Sequence, residues 1–134
     1  MKMPVLVFTA SGNDLGVFTG KFISGDFSLL ENENKWNCDV EIIDSSGLLF
    51  FVSRLLPSKR VLWFDSLVHL RKHVYAHAVL KSSPSQITLD ELKERIKKCI
   101  KRNKSFWSSI NDGRGLNKMV DSCKDYKELI LLFK

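Results

Sequence analysis

Apolar residues recur with helical spacing over residues 87–110 more regularly than anywhere else in the chain. At 100° per residue, Leu89, Leu92, Ile96, Cys99, Ile100, Asn103, Phe106, Trp107 and Ile110 share one arc of roughly 120°, the width of a core-facing stripe. Thr88 with Glu91 three residues on forms a capping box, and Ile87 is placed to staple to Leu92. Asn111-Asp112-Gly113 supplies the stop, with Gly113 able to take the left-handed conformation. The pattern predicts one amphipathic helix over 88–110 whose stripe lies on a sheet, with Phe106 and Trp107 in the core. Asn103 is the one polar residue inside the stripe and needs hydrogen-bond partners there.

Before residue 65 the period is two. Residues 4–10 form a short apolar run ending in the turn Ser11-Gly12-Asn13-Asp14. Residues 15–23 place Phe18 and Phe22 on one face, Ser24-Gly25-Asp26 turns, and 27–30 is a third short strand. Trp36, Cys38, Val40 and Ile42 alternate with Asn37, Asp39 and Glu41, as in a half-buried strand. Asp44-Ser45-Ser46-Gly47 then returns the chain into a strand over 48–54, the clearest hairpin in the sequence. Residues 55–59, with Pro57, read as a loop and 60–64 as a last strand. Residues 65–80 fit a helix capped by Asp65 or Ser66, although alternation over 74–80 fits a strand nearly as well. Ser82-Ser83-Pro84-Ser85 breaks the chain before the basic helix. A short helix over 116–120 and a terminal one opened by Asp125, with Tyr126, Leu129, Ile130 and Phe133 inward, complete the chain. The fold class is α+β: an antiparallel β-meander over about residues 4–64, then helices packed on one face of the sheet. With 134 residues, a strand-rich part (1–64) and a helical part (65–134), it is expected to be a single domain.

Charge changes the picture. Residues 1–64 carry six basic and seven acidic side chains, and residues 65–134 carry fifteen and eight. The net charge of +6 therefore belongs to the second half, toward which an acidic partner would be steered. It concentrates on the 88–110 helix: acids lie in its first two turns, whereas Lys97, Lys98, Lys101, Arg102 and Lys104 follow without compensating acid. That polarity suits the helix macrodipole, so a merely solvated face is the competing reading. These five cations are the candidate partner-binding residues, and the loops 31–35 and 44–47 are the alternative surface. Three well-separated cysteines without a Cys-x-x-Cys pair fit a reducing, cytoplasmic setting. No run approaches the ~20 apolar residues of a membrane span, and no membrane association is expected.

Motifs for chemistry are lacking. His69, His73 and His77 lie four apart, but a straight row of three cannot surround one ion, and no second cluster supplies the remaining ligands. Gly113-Arg114-Gly115 follows a helix instead of a strand, and Ser11–Gly16 lacks the Gly-Lys-Ser/Thr ending of a phosphate loop. Asp39 and Glu41 share a strand face and fit a solvated edge better than an acid–base pair. No metal, cofactor or enzymatic activity is expected.

The strand-rich first half with its Trp36-Asn37-Cys38-Asp39-Val40-Glu41-Ile42-Ile43-Asp44-Ser45-Ser46-Gly47 hairpin, followed by helices, resembles in outline the immunity proteins of bacterial contact-dependent growth inhibition systems. The resemblance implies a cytoplasmic inhibitor that binds and neutralises the cognate toxin of its own system. Immunity proteins against nucleases are commonly acidic. The basic charge here implies either an acidic toxin surface or binding through the N-terminal half. Nucleic acid, held by the basic helix, is the alternative partner.

Overall fold

A computed structural model of the chain describes residues 1–8, 15–19, 24–26, 40–61, 73–111 and 115–134. Among these, seven strands form one antiparallel sheet: β1 (Val5–Phe8), β2 (Leu15–Phe18), β3 (Ser24–Asp26), β4 (Val40–Asp44), β5 (Leu48–Val61), β6 (His73–Leu80) and β7 (Ser85–Gln86). Four helices follow: α1 (Leu89–Arg102), α2 (Lys104–Asn111), α3 (Leu116–Ser122) and α4 (Tyr126–Leu131). The α+β class holds.

The strand order is β2-β1-β4-β5-β6-β3, with β7 pairing β5. This departs from a sequential meander ending near residue 64. β1 lies inside the sheet between β2 and β4, and β3 crosses to pair with β6 at the far edge. The reason is in β1 itself. All four of its residues are buried apolar side chains, and such a strand needs neighbours on both edges and cover on both faces. Leu6, Phe8, Ile43 and Leu49 pack with the helices. Val5, Val7, Val40, Ile42, Phe50 and Val52 form a second buried cluster on the opposite face.

Three local expectations are corrected. Residues 73–80 are strand, not the end of a helix, so the alternating pattern prevails there. β5 runs unbroken through the expected loop at 55–59. Pro57 pairs with Ala76, and the register shifts between Val52 and Arg54 and between Pro57 and Val61 absorb the irregularity. Ser24-Gly25-Asp26, read as a turn, is strand β3. The strands read at 27–30, at 62–64 and before Val40, the helix start at 65, Trp36 and His69 lie outside the described residues.

The capping box forms as read. The Thr88 hydroxyl accepts from the Glu91 N–H at 3.2 Å, and the Glu91 carboxylate accepts from the Thr88 N–H at 2.9 Å. Leu92, Ile96, Cys99 and Ile100 are buried. The stripe does not continue as one helix, however. Asn103 leaves helical geometry (φ −119°, ψ 47°) and divides it into α1 and α2. Its N–H donates to the Cys99 carbonyl, and its carbonyl accepts from the Trp107 N–H. Both are i to i−4 backbone bonds, so the break lies in the Asn103 dihedrals and not in the hydrogen-bond ladder. Past the break Trp107 still enters the core and meets Phe133 edge to face, whereas Phe106, expected inside, is 50% exposed. The terminal helix α4 is capped by Asp125, which accepts from the Glu128 N–H, and buries Leu129 and Ile130.

Candidate functional site

The seven basic side chains on residues 93–104 divide by their neighbours. Arg95 turns toward the sheet, pairs with Glu41 of β4 and lies over the Phe8 ring at 4.9 Å. Glu41 and Phe8 are register partners across β4 and β1, so the sheet pairing itself assembles this seat. Burial lowers the pKa of Arg95 from its ordinary value without threatening its charge. Lys93 donates to the backbone carbonyl of Asp121 in α3 at 3.0 Å, and Lys97 to the Asp121 carboxylate at 3.1 Å. Lys97 also pairs with Glu94, and the hydrogen bonds to Glu94 and then Asp121 raise its pKa. Lys93, Arg95 and Lys97 therefore tie α1 to the sheet and to α3.

The remaining cations stand outward. Lys98, Lys101 and Arg102 are exposed and make no ion pair among the described residues. Lys104 is exposed too, but it lies on α2 beyond the Asn103 break, so helical spacing no longer relates it to the others. Of the five candidate residues, the structure groups Lys98, Lys101 and Arg102 at one end of α1, commits Lys97 to the fold and places Lys104 on the next element. Sequence reasoning missed Asp121, whose link to Lys97 spans a sequence separation of 24, and the exposure of Phe106 next to the basic end. Only the polar Asn103 inside the apolar stripe signalled the break that turns Phe106 outward.

The alternative surface at 44–47 is folded inward. Asp44 is fully buried in the β4–β5 turn. Its carboxylate accepts from the Lys2 N–H at 2.8 Å, the Ser46 N–H at 2.9 Å, the Ser46 hydroxyl at 2.7 Å and the Leu48 N–H at 3.1 Å. Burial pushes the Asp44 pKa up, but these four bonds, led by the Ser46 hydroxyl, outweigh it and hold the pKa below the ordinary aspartate value. Gly47 follows at φ +80°, a conformation open to glycine. Its carbonyl accepts from the Ile87 N–H at 3.0 Å and from the Gln86 side-chain amide at 3.0 Å. The Tyr126 hydroxyl donates to the Ile87 carbonyl at 2.7 Å, so the turn joins the sheet to the start of α1 and to α4. Residues 31–35 lie outside the described residues.

His73 and His77 both lie on β6, and no group of three or more His, Cys, Asp or Glu residues is placed to hold a metal among the described residues. Among the described residues, no helix is long and apolar enough to cross a membrane. Compared with models of known families, with curated proteins and with solved structures, the chain matches none.

Proposed function

We propose that this chain is a binding protein of the immunity type. In this reading it holds the toxin domain of its own system in the cytoplasm through the outward end of α1 and carries out no reaction of its own. One observation carries the reading. Lys98, Lys101 and Arg102 stand together, exposed, while the other cations of the same helix are consumed by the fold. Exposed unpaired charges contribute little to stability. Complementary charge across an interface instead sets association rate and partner choice. The partner surface is accordingly acidic, and the half-exposed Phe106 beside the cations is the aromatic anchor such interfaces favour.

The test uses the protein encoded by the reading frame immediately upstream, where the toxin of such a system is expected. Calorimetry or surface plasmon resonance with its C-terminal domain is expected to give a one-to-one complex. In the Lys98→Glu/Lys101→Glu/Arg102→Glu variant that complex forms more slowly and loses most of its salt dependence. The variant is also expected to protect cells poorly against that toxin. Unchanged binding and protection by the variant would remove α1 from the interface. Tight wild-type binding to arbitrary duplex DNA, with Kd near ~10⁻⁴–10⁻⁶ M at physiological salt and a steep salt slope, would move the function to nucleic acid.

A further inference from the structure

The exposed residues of α1 carry a second pattern, independent of the toxin reading. Six of its residues are exposed: Asp90, Glu91, Glu94, Lys98, Lys101 and Arg102. Counted outward from Ile96, each acid has a base at the same distance on the other side. Asp90 mirrors Arg102, Glu91 mirrors Lys101, and Glu94 mirrors Lys98. At 100° per residue all six lie within about 60° of the direction opposite the buried Ile96, so they form one outward face.

A face with this symmetry is complementary to itself. When a second α1 is laid against it antiparallel, with a two-fold axis beside Ile96, Lys101 and Arg102 of each copy come over Asp90 and Glu91 of the other. Lys98 comes over Glu94. A surface of uniform charge can match only half of this face, whereas a second copy matches its whole length of about 18 Å. An isologous contact of this kind closes as a dimer.

The ends of the face add an apolar component. Phe106, 50% exposed, lies just past the basic end. A cleft of about 630 Å³ opens between α1 and the sheet, with Leu49, Gln86 and Ile87 on one side and charged residues of α1 from Asp90 to Lys98 on the other. The antiparallel arrangement carries the basic end of each copy toward the mouth of the other copy's cleft, and Phe106 follows that end on α2, across the Asn103 break.

We infer that α1 is a self-association surface, and that its occupant is a second copy of this chain in two-fold antiparallel contact, with charge setting the register and Phe106 supplying the anchor. The contact is reversible and salt-sensitive, because exposed ion pairs contribute little individually and are screened. It also covers Lys98, Lys101 and Arg102, so an acidic partner at those residues competes with the second copy.

Sedimentation equilibrium on the full chain tests this without any partner. At low ionic strength, about 0.05 M, the wild type is expected to dimerise reversibly, with at least about tenfold weaker association near 1 M, where the Debye length falls to about 3 Å. Lys98→Glu/Arg102→Glu and Asp90→Lys/Glu94→Lys are each expected to be monomeric, with circular dichroism unchanged. An equimolar mixture of the two restores a one-to-one dimer, because the reversed faces now complement each other. Phe106→Ala is expected to weaken the wild-type dimer about tenfold. If Asp90→Lys/Glu94→Lys does not fold, Asp90→Asn/Glu94→Gln replaces it, with a weakened dimer expected. A wild type that stays monomeric at low salt up to about 1 mM, a dimer indifferent to these substitutions, or a mixture of folded variants that fails to associate would each overturn the inference. None of these results depends on whether a toxin is bound.

Discussion

The β4–β5 turn and the outward face of α1 are both built from charged and polar side chains, yet they use them in opposite ways. In the turn a single carboxylate is buried, receives four hydrogen bonds and leaves no polar obligation unmet. On α1 six charged side chains face water, and the three cations among them have no ion-pair partner among the described residues. A buried charge is tolerated only when hydrogen bonds replace its lost hydration, so the turn is structural by necessity. An exposed charge incurs little desolvation on folding, so although Glu91 closes the capping box and Glu94 pairs with Lys97, the outward cations of α1 are free to be placed for a partner.

Substitutions in the two regions are therefore expected to separate stability from binding. Gly47→Ala has the largest expected effect on stability. A Cβ there would meet the Gln86 amide and the Tyr126 ring at 2.5 Å each, on a backbone at φ +80°. Strain and overpacking together are expected to cost about 3 kcal/mol, measured by urea denaturation. A loss below about 0.5 kcal/mol, the range of ordinary surface changes, would show that the junction of β7, α4 and the turn yields easily.

Asp44→Asn comes next, at about 2 kcal/mol, since the amide group cannot accept from donors placed for two oxygens. The same site predicts a pH dependence. The Asp44 pKa is lowered on folding, so its contribution is complete above the ordinary aspartate value of about 4 and is lost as the pH falls through the lowered folded value. Acid titration of stability is expected to show this limb in the wild type and a flatter one in Asp44→Asn. Equal acid limbs would mean that Asp44 is not the titrating group.

Arg95→Ala stands between the two regions and is expected to cost about 1 kcal/mol, as its pair with Glu41 is partly exposed and its stack on Phe8 adds packing. Because of that packing, part of the loss should persist in 1 M salt. A loss that salt removes entirely would reduce the contact to a surface ion pair. The smallest effect on stability belongs to Lys98→Glu/Lys101→Glu/Arg102→Glu, whose thermal midpoint is expected to match the wild type while partner binding and self-association change. A lowered midpoint would place these cations among the structural ones and collapse the contrast.

Short-range chemistry alone determined a good part of this molecule. The Thr88–Glu91 capping box and the Asp125 cap depend on groups within four residues of one another, as do the Ser46 and Leu48 bonds of the Asp44–Gly47 turn. All three features were legible, although the Lys2 N–H that completes the Asp44 site comes from 42 residues away. So was the burial of Leu92, Ile96, Cys99 and Ile100, because helical spacing puts them on one face whatever that face meets. Tertiary structure decided what depends on neighbours distant in the chain. The pairing of β3 with β6 and the passage of β5 through Pro57 rest on partner strands that the local pattern does not name. The division of α1's cations followed the same rule. Lys93, Arg95 and Lys97 look no different in sequence from Lys98, Lys101 and Arg102. They became structural because Asp121 and Glu41, 24 or more residues away, came within reach, and a charge acquires its role from whatever the fold brings beside it.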